Sequence, residues 1–126
     1  MSKVWYISDI IENKGTATLT DIGVEVAIME LVNVGKYFMV SGYLDLSNML
    51  ETNEITMKEL LDLESGVYKS YLTCKFKGIQ PDPILMITPK YFTPFDKYKL
   101  SLILNAGTGF SVPYKFLIFI YDYVTT

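Results

Sequence analysis

Apolar residues in this chain return at every second position, again and again, which is the period of a β-strand with one buried face. Over residues 36–46, Phe38, Val40, Leu44 and Leu46 share one parity, while Ser41, Tyr43 and Asp45 share the other. Gly42 stands in register with the inward set, where a missing side chain admits a bulky neighbour. Residues 67–77 repeat the pattern, with Tyr68, Leu72, Cys74 and Phe76 against Lys69, Thr73, Lys75 and Lys77. Residues 97–105 set Tyr98, Leu100, Leu102 and Leu104 against Lys97, Lys99, Ser101 and Asn105. Further strands are expected at 3–11, 16–21, 24–32, 84–88 and 114–124.

Turn chemistry separates these segments. It is found at Asn13-Lys14-Gly15, Asn33-Val34-Gly35, Glu64-Ser65-Gly66, Pro81-Asp82-Pro83, Pro94-Phe95-Asp96 and Ala106-Gly107-Thr108-Gly109. Turns every roughly 10–20 residues suit a sandwich of antiparallel strands. One segment is ambiguous. Thr56-Met57-Lys58-Glu59 followed by Leu60-Leu61 reads as a capping box opening a helix. The same stretch alternates Ile55, Met57, Leu61 and Leu63, which reads as a strand entering a hairpin with 67–77, and strand is the expectation taken here. The fold expected is all-β: an antiparallel β-sandwich of about 7–9 strands, Ig-like or jelly-roll-like in its Greek-key connections. A single domain over residues 1–126 is expected, with residues 1–32 supplying N-terminal strands or an arm. Its core is expected to hold Phe38, Val40, Leu44, Leu72, Cys74, Phe76, Leu100, Leu102, Leu104, Phe116 and Ile118.

At this size a chain buries roughly two-thirds of the surface its unfolded form exposes, so it folds without metal or disulfide staples. Ten Tyr and seven Phe fit the pleated surface of a sheet. No apolar run approaches the roughly 18–20 residues of a membrane-spanning helix. Met1 to Tyr6 breaks into Ser8-Asp9 before the apolar core of a signal peptide can form, so no export signal is expected. Cys74 is the only cysteine, which excludes an internal disulfide and an all-cysteine metal site.

What is missing restricts the chemistry further. The chain has no His, and all eleven basic residues are Lys. Without His there is no Ser-His-Asp or Cys-His nucleophile system, and no side chain with an unperturbed pKa near neutrality. Without Arg there is no bidentate fork for phosphate or guanine. A net charge of −3 repels a phosphate backbone. No specific nucleic-acid partner is expected. An AT-rich genome that encodes Lys in place of Arg explains the missing Arg equally well, with the same chemical consequence.

The remaining candidates for chemistry have plain structural readings. Asp45, Asp82, Asp96 and Asp122 lie at strand ends, in loops or on a strand face, as turn formers and solvated charges do. Ala106-Gly107-Thr108-Gly109 runs into Phe110-Ser111-Val112-Pro113-Tyr114, a strand entry rather than the helix a phosphate cradle needs, and reads as a hairpin loop. Cys74 alternates with Leu72 and Phe76 and reads as an inert buried thiol. No calcium-loop pattern is present. No catalytic residue, metal site or cofactor is expected, and the chain is not expected to be an enzyme.

The last strand carries the most informative feature. Lys115 to Val124 is apolar at both parities. Phe116, Ile118 and Ile120 serve the core, and Leu117, Phe119, Tyr121 and Tyr123 face the other way. A two-layer sandwich with one core cannot bury both sets. Either a neighbouring strand or the chain's own N-terminal segment folds over the second set, or the strand is central between packed layers, or another polypeptide covers it. Leu117, Phe119, Tyr121 and Tyr123, joined by Trp5, are therefore the candidate interface.

Val34-Gly35-Lys36-Tyr37-Phe38-Met39-Val40-Ser41-Gly42-Tyr43-Leu44-Asp45-Leu46-Ser47-Asn48 is followed by Gly78-Ile79-Gln80-Pro81 with Pro83, by Ala106-Gly107-Thr108, and by Pro113-Tyr114. Together these resemble small β-sandwich virion proteins of archaeal and bacterial viruses, of the capsid-decoration or tail type. The resemblance spans about residues 33–116 and rests on turns and alternating strands. It implies a strand at 55–63 and a structural role. The leading expectation is a non-enzymatic shell subunit or capsid-decoration protein, located in the virion after synthesis in the host cytoplasm. Its partner would be a protein, either a second copy or another shell subunit, within an oligomer or larger assembly. The rival expectation is a carbohydrate- or ligand-binding module that uses Tyr and Trp faces, with Gln80 and a few Asn as its polar half.

Overall fold

Period-two alternation becomes strand after strand in the computed structural model, which describes residues 1–126 except Asn33, Glu64 and Ser65. The turns expected at Asn33-Val34-Gly35 and Glu64-Ser65-Gly66 therefore lie partly outside the described residues. In chain order the strands are β1 (Lys3–Leu19), β2 (Glu25–Leu31), β3 (Tyr37–Asp45), β4 (Glu54–Asp62), β5 (Lys69–Lys77), β6 (Ile84–Phe92), β7 (Lys97–Ala106) and β8 (Phe110–Thr125). They form two antiparallel four-stranded sheets, ordered β1-β8-β3-β6 and β2-β7-β4-β5. Every connection but β4–β5 carries the chain from one sheet to the other. Two interlocked Greek keys of this kind make a jelly roll, which decides between the two sandwich types expected.

The core lies between the sheets. Phe38, Val40, Leu44, Leu100, Leu102, Leu104, Phe116 and Ile118 are all buried there, as their parity requires. Gly42 lies against β8, where an added Cβ would meet Phe116 Cδ1 at 2.5 Å and also press on the Lys115 carbonyl. Residues 54–62 are a strand because β5 and β7 offer ladder partners on both sides. Those bonds override the helical preference of Met, Lys, Glu and Leu.

Four expectations need correcting. Asn13-Lys14-Gly15 does not turn: the three residues pair with Phe116, Lys115 and Tyr114, and β1 runs on unbroken. Its long partner strand holds the segment extended, and Gly15 leaves room for the Tyr114 ring, whose hydroxyl would lie 2.8 Å from an added Cβ. The Ala106–Gly109 loop is not a hairpin, because β7 and β8 belong to different sheets. It crosses the end of the sandwich, where buried Asn53 donates Nδ2–H to the Thr108 carbonyl at 2.7 Å. Leu72 is 39% exposed. It shares inward parity with Cys74 and Phe76, but β5 is an edge strand, and Leu72 lines an opening between the sheets with Tyr71, Thr88 and Lys90. For the same reason Cys74 and Phe76 are half-buried against the core rather than inside it.

Candidate functional site

The two outer faces of the sandwich differ in chemistry. On the β2-β7-β4-β5 sheet, the residues at outward parity are mainly charged or hydroxylated. Ser101 donates to Glu25 Oε1 at 2.7 Å, Lys99 Nζ lies 3.7 Å from the same oxygen, and Asn105 donates to Thr56 Oγ1 at 2.6 Å. That face is built for water.

The β1-β8-β3-β6 sheet turns aromatic and aliphatic side chains outward instead. From β8 come Leu117, Phe119, Tyr121 and Tyr123; the pairing register sets Met39 beside Phe119 and Tyr37 beside Tyr121. On the other flank of β8, Ile10 pairs with Phe119 and Trp5 with Tyr123. Beyond β3, Tyr91 stands opposite Met39 and Met86 opposite Tyr43. Tyr91 is 73% exposed and Met86 67%. The rings associate: Trp5 packs edge-on against Tyr37 and tilted against Tyr123, each at 4.9 Å between centroids, and Tyr91 lies 6.1 Å from Tyr121. Trp5, Tyr37, Tyr91 and Tyr121 thereby border a shallow depression of about 260 Å³. Burial, followed by the neighbouring Tyr91, pushes the Tyr121 phenol above its ordinary pKa. At the rim, Asp122 accepts the Tyr123 N–H at 2.8 Å and pairs with Lys36 at 3.3 Å. These contacts, the backbone one first, hold its carboxyl below the usual carboxylate range.

All five residues expected at the interface thus lie on this one sheet. Tyr123 and Trp5 are exposed, and Leu117, Phe119 and Tyr121 are half-buried by neighbours on the face. The N-terminal strand extends the sheet beside β8 and does not fold over the face. Sequence reasoning missed Tyr37, Met39, Met86 and Tyr91. The signal was present in part, since Tyr37 and Met39 share the parity of Tyr43. What placed them next to Tyr121 is the β3–β8 pairing.

Two of the carboxylates expected as turn formers behave as such. Asp45 accepts the Ser47 N–H at 2.9 Å and Asp96 accepts the Thr93 N–H at 2.8 Å. Among the described residues no three of Cys, Asp and Glu gather closely enough to hold a metal ion. One buried charged cluster was not foreseen. Glu59 on β4 points into the sandwich, where Lys90 of β6 reaches its Oε1 at 2.8 Å and the Tyr98 hydroxyl donates to the same oxygen at 2.5 Å. It joins the two sheets near the open end beside Leu72.

No protein-family model and no curated protein matches the chain. Solved structures do share its fold. A chain from the structure of the infectious bursal disease virus Gx strain superposes with a TM-score of 0.52 at 10% identity, covering 94% of this chain and 32% of that one. The present chain therefore spans about a third of that viral chain's length. The Yersinia pseudotuberculosis-derived mitogen gives a TM-score of 0.53 at 17% identity, covering 94% and 96% of the two chains. A Bacillus endospore appendage protein, from a structure described as a family of disulfide-linked pili, gives 0.50 at 13%, covering 88% of each. At these identities the likeness concerns the fold.

Proposed function

We propose that this protein is a non-enzymatic structural component of a virus particle, a shell subunit or a protein decorating the shell. The observation that carries the reading is the contrast between the faces: one sheet is dressed for solvent, while the other exposes a continuous field of Trp, Tyr, Phe, Met and Ile side chains. Contiguous apolar surface of that kind marks association sites. Tyr and Trp are favoured there because they bring much apolar area with few rotors to freeze. The fold supports the reading, since it is shared with a chain of a virus structure and a pilus protein. The resemblance over residues 33–116 to virion proteins of archaeal and bacterial viruses points the same way, and supports a working location in the virion.

A second reading, a glycan-binding module, draws on the depression between Trp5, Tyr37, Tyr91 and Tyr121. Sugars stack on such rings but also need amide or carboxylate partners, and among the described residues no Asn, Gln, Asp or Glu side chain borders this depression. The protein-contact reading is therefore preferred. Light scattering on concentrated protein tests it. Wild type is expected to form assemblies larger than a dimer, and Tyr91→Ser with Tyr121→Ser is expected to stay folded and lose them. Wild type that never exceeds a dimer yet binds oligosaccharides, with binding abolished in the same variant, would establish the glycan reading instead.

A further inference from the structure

β1 is an edge strand, and its first ten residues, Lys3 to Glu12, are all exposed. Val4 is 51% exposed, Trp5 45%, Ile10 53% and Ile11 47%, and they lie at both parities. A long apolar edge with free backbone groups is a template for another strand. Its charges and register indicate which strand.

Ser2 and Thr126 exchange both backbone bonds, at 3.3 and 2.9 Å. In an antiparallel ladder, residues bonded to one neighbour alternate with residues facing away from it. Lys3, Trp5 and Ile7 therefore turn their N–H and C=O groups to the open edge. The register shift between Ile7 and Asp9 moves the alternation by one residue, so beyond it Ile10, Glu12 and Lys14 face the open edge. Side-chain direction follows the same register. Trp5 and Ile10 lie on the outer face with Tyr123 and Phe119, while Val4 and Ile11 lie on the opposite one. Lys3 is on the outer face too, its Nζ 4.4 Å from the centre of the Tyr123 ring.

We propose that β1 pairs antiparallel with β1 of a second copy about a two-fold axis near Ser8, with Lys3 opposite the partner's Glu12. In this register Trp5 faces the partner's Ile10 and Val4 faces the partner's Ile11. Open backbone groups meet open backbone groups, and side chains of one face meet their own face. Symmetry makes each contact twice, including the Lys3–Glu12 pair. Glu12 makes no ion pair within the chain among the described residues. Shifting the pairing by two residues one way sets Lys3 against Lys14 and Trp5 against Glu12. Shifting it the other way sets Lys3 against Ile10 and Glu12 against Met1, so neither side chain meets one of opposite charge. Charge complementarity thus selects one register of one occupant, a second copy of this chain. The result is a continuous eight-stranded sheet across two protomers, and it does not depend on the viral role proposed above.

The test is sedimentation of the full chain over a range of concentrations. Wild type at low concentration, and the Tyr91→Ser, Tyr121→Ser variant at every concentration, should show a monomer–dimer equilibrium, the larger assemblies expected of wild type at high concentration being built on that dimer. Lys3→Glu sets two like-charged pairs across the axis and should raise the dimer dissociation constant about tenfold. Lys3→Glu combined with Glu12→Lys should restore it. Both positions are exposed, so circular dichroism should be unchanged. As a second measurement, Trp5→Cys with Ile10→Cys, in a Cys74→Ser background, should oxidise to a covalent dimer. Within one extended chain these positions are about 15 Å apart, too far for a disulfide. A monomer at every concentration with no covalent dimer overturns the proposal. So does a dimer indifferent to Lys3→Glu, or one not restored by the double exchange.

Discussion

Replacing Lys90 with Met removes the only cation within ion-pairing distance of Glu59 among the described residues, and leaves that carboxylate inside the sandwich. The Glu59 side chain is 1% exposed and that of Lys90 11%, so neither charge is well screened by solvent. Breaking such a pair from one side typically costs about 3–5 kcal/mol, because the charge left behind is uncompensated. The opening beside Lys90 lets water approach and favours the lower end, so the expected loss is about 3 kcal/mol. For a chain of this size that lowers Tm by about 10 °C. Glu59→Gln together with Lys90→Met removes both charges and keeps an acceptor for the Tyr98 hydroxyl. It should recover to within about 1 kcal/mol of wild type. Urea and thermal unfolding of the three proteins at pH 7 measure both effects. A Lys90→Met loss below about 1 kcal/mol, or a double variant as unstable as the single one, would refute the account of this cluster as a buried, mutually dependent pair.

Two other expectations follow from the same packing. Burial, followed by the hydrogen bond and charge of Glu59, holds the Tyr98 phenol well above its ordinary pKa. The folded state thus keeps this proton after the unfolded chain has released it. The contribution is complete below about pH 10 and is lost as pH rises above it, by about 1.4 kcal/mol per pH unit. Alkaline unfolding curves of wild type and Tyr98→Phe should therefore diverge in slope above pH 10, and parallel curves would contradict the assignment. Gly42→Ala forces a methyl onto the Phe116 ring and the β8 backbone, and should destabilise by about 1–3 kcal/mol in urea, as overpacking does. An unchanged midpoint would mean that β3 and β8 separate more easily than their register implies.

The amino-acid sequence alone was sufficient for the strand class, most of the core and the parity of the exposed aromatic set, because these follow from local alternation. Leu100, Leu102 and Leu104 can share a face only if residues 97–106 are extended, whatever they pack against. The double-sided last strand likewise announced that Leu117, Phe119, Tyr121 and Tyr123 lie outside a single core. Pairing is not local, and there the sequence was silent. Asn13-Lys14-Gly15 carries the chemistry of a turn, yet β8 holds it straight, because ladder bonds along a 16-residue partner outweigh the preference of three residues. Leu72 has inward parity, but its burial depends on standing at a sheet edge, which strand order determines. Glu59 sits at a core parity that its charge seemed to forbid, and is accommodated only because Lys90, from the other sheet, reaches it across the sandwich. The joining of Trp5, Tyr37, Tyr91 and Tyr121 into one surface rests on the order β1-β8-β3-β6. Periodicity determines which way a side chain points, and only long-range hydrogen bonding between strands decides what stands beside it.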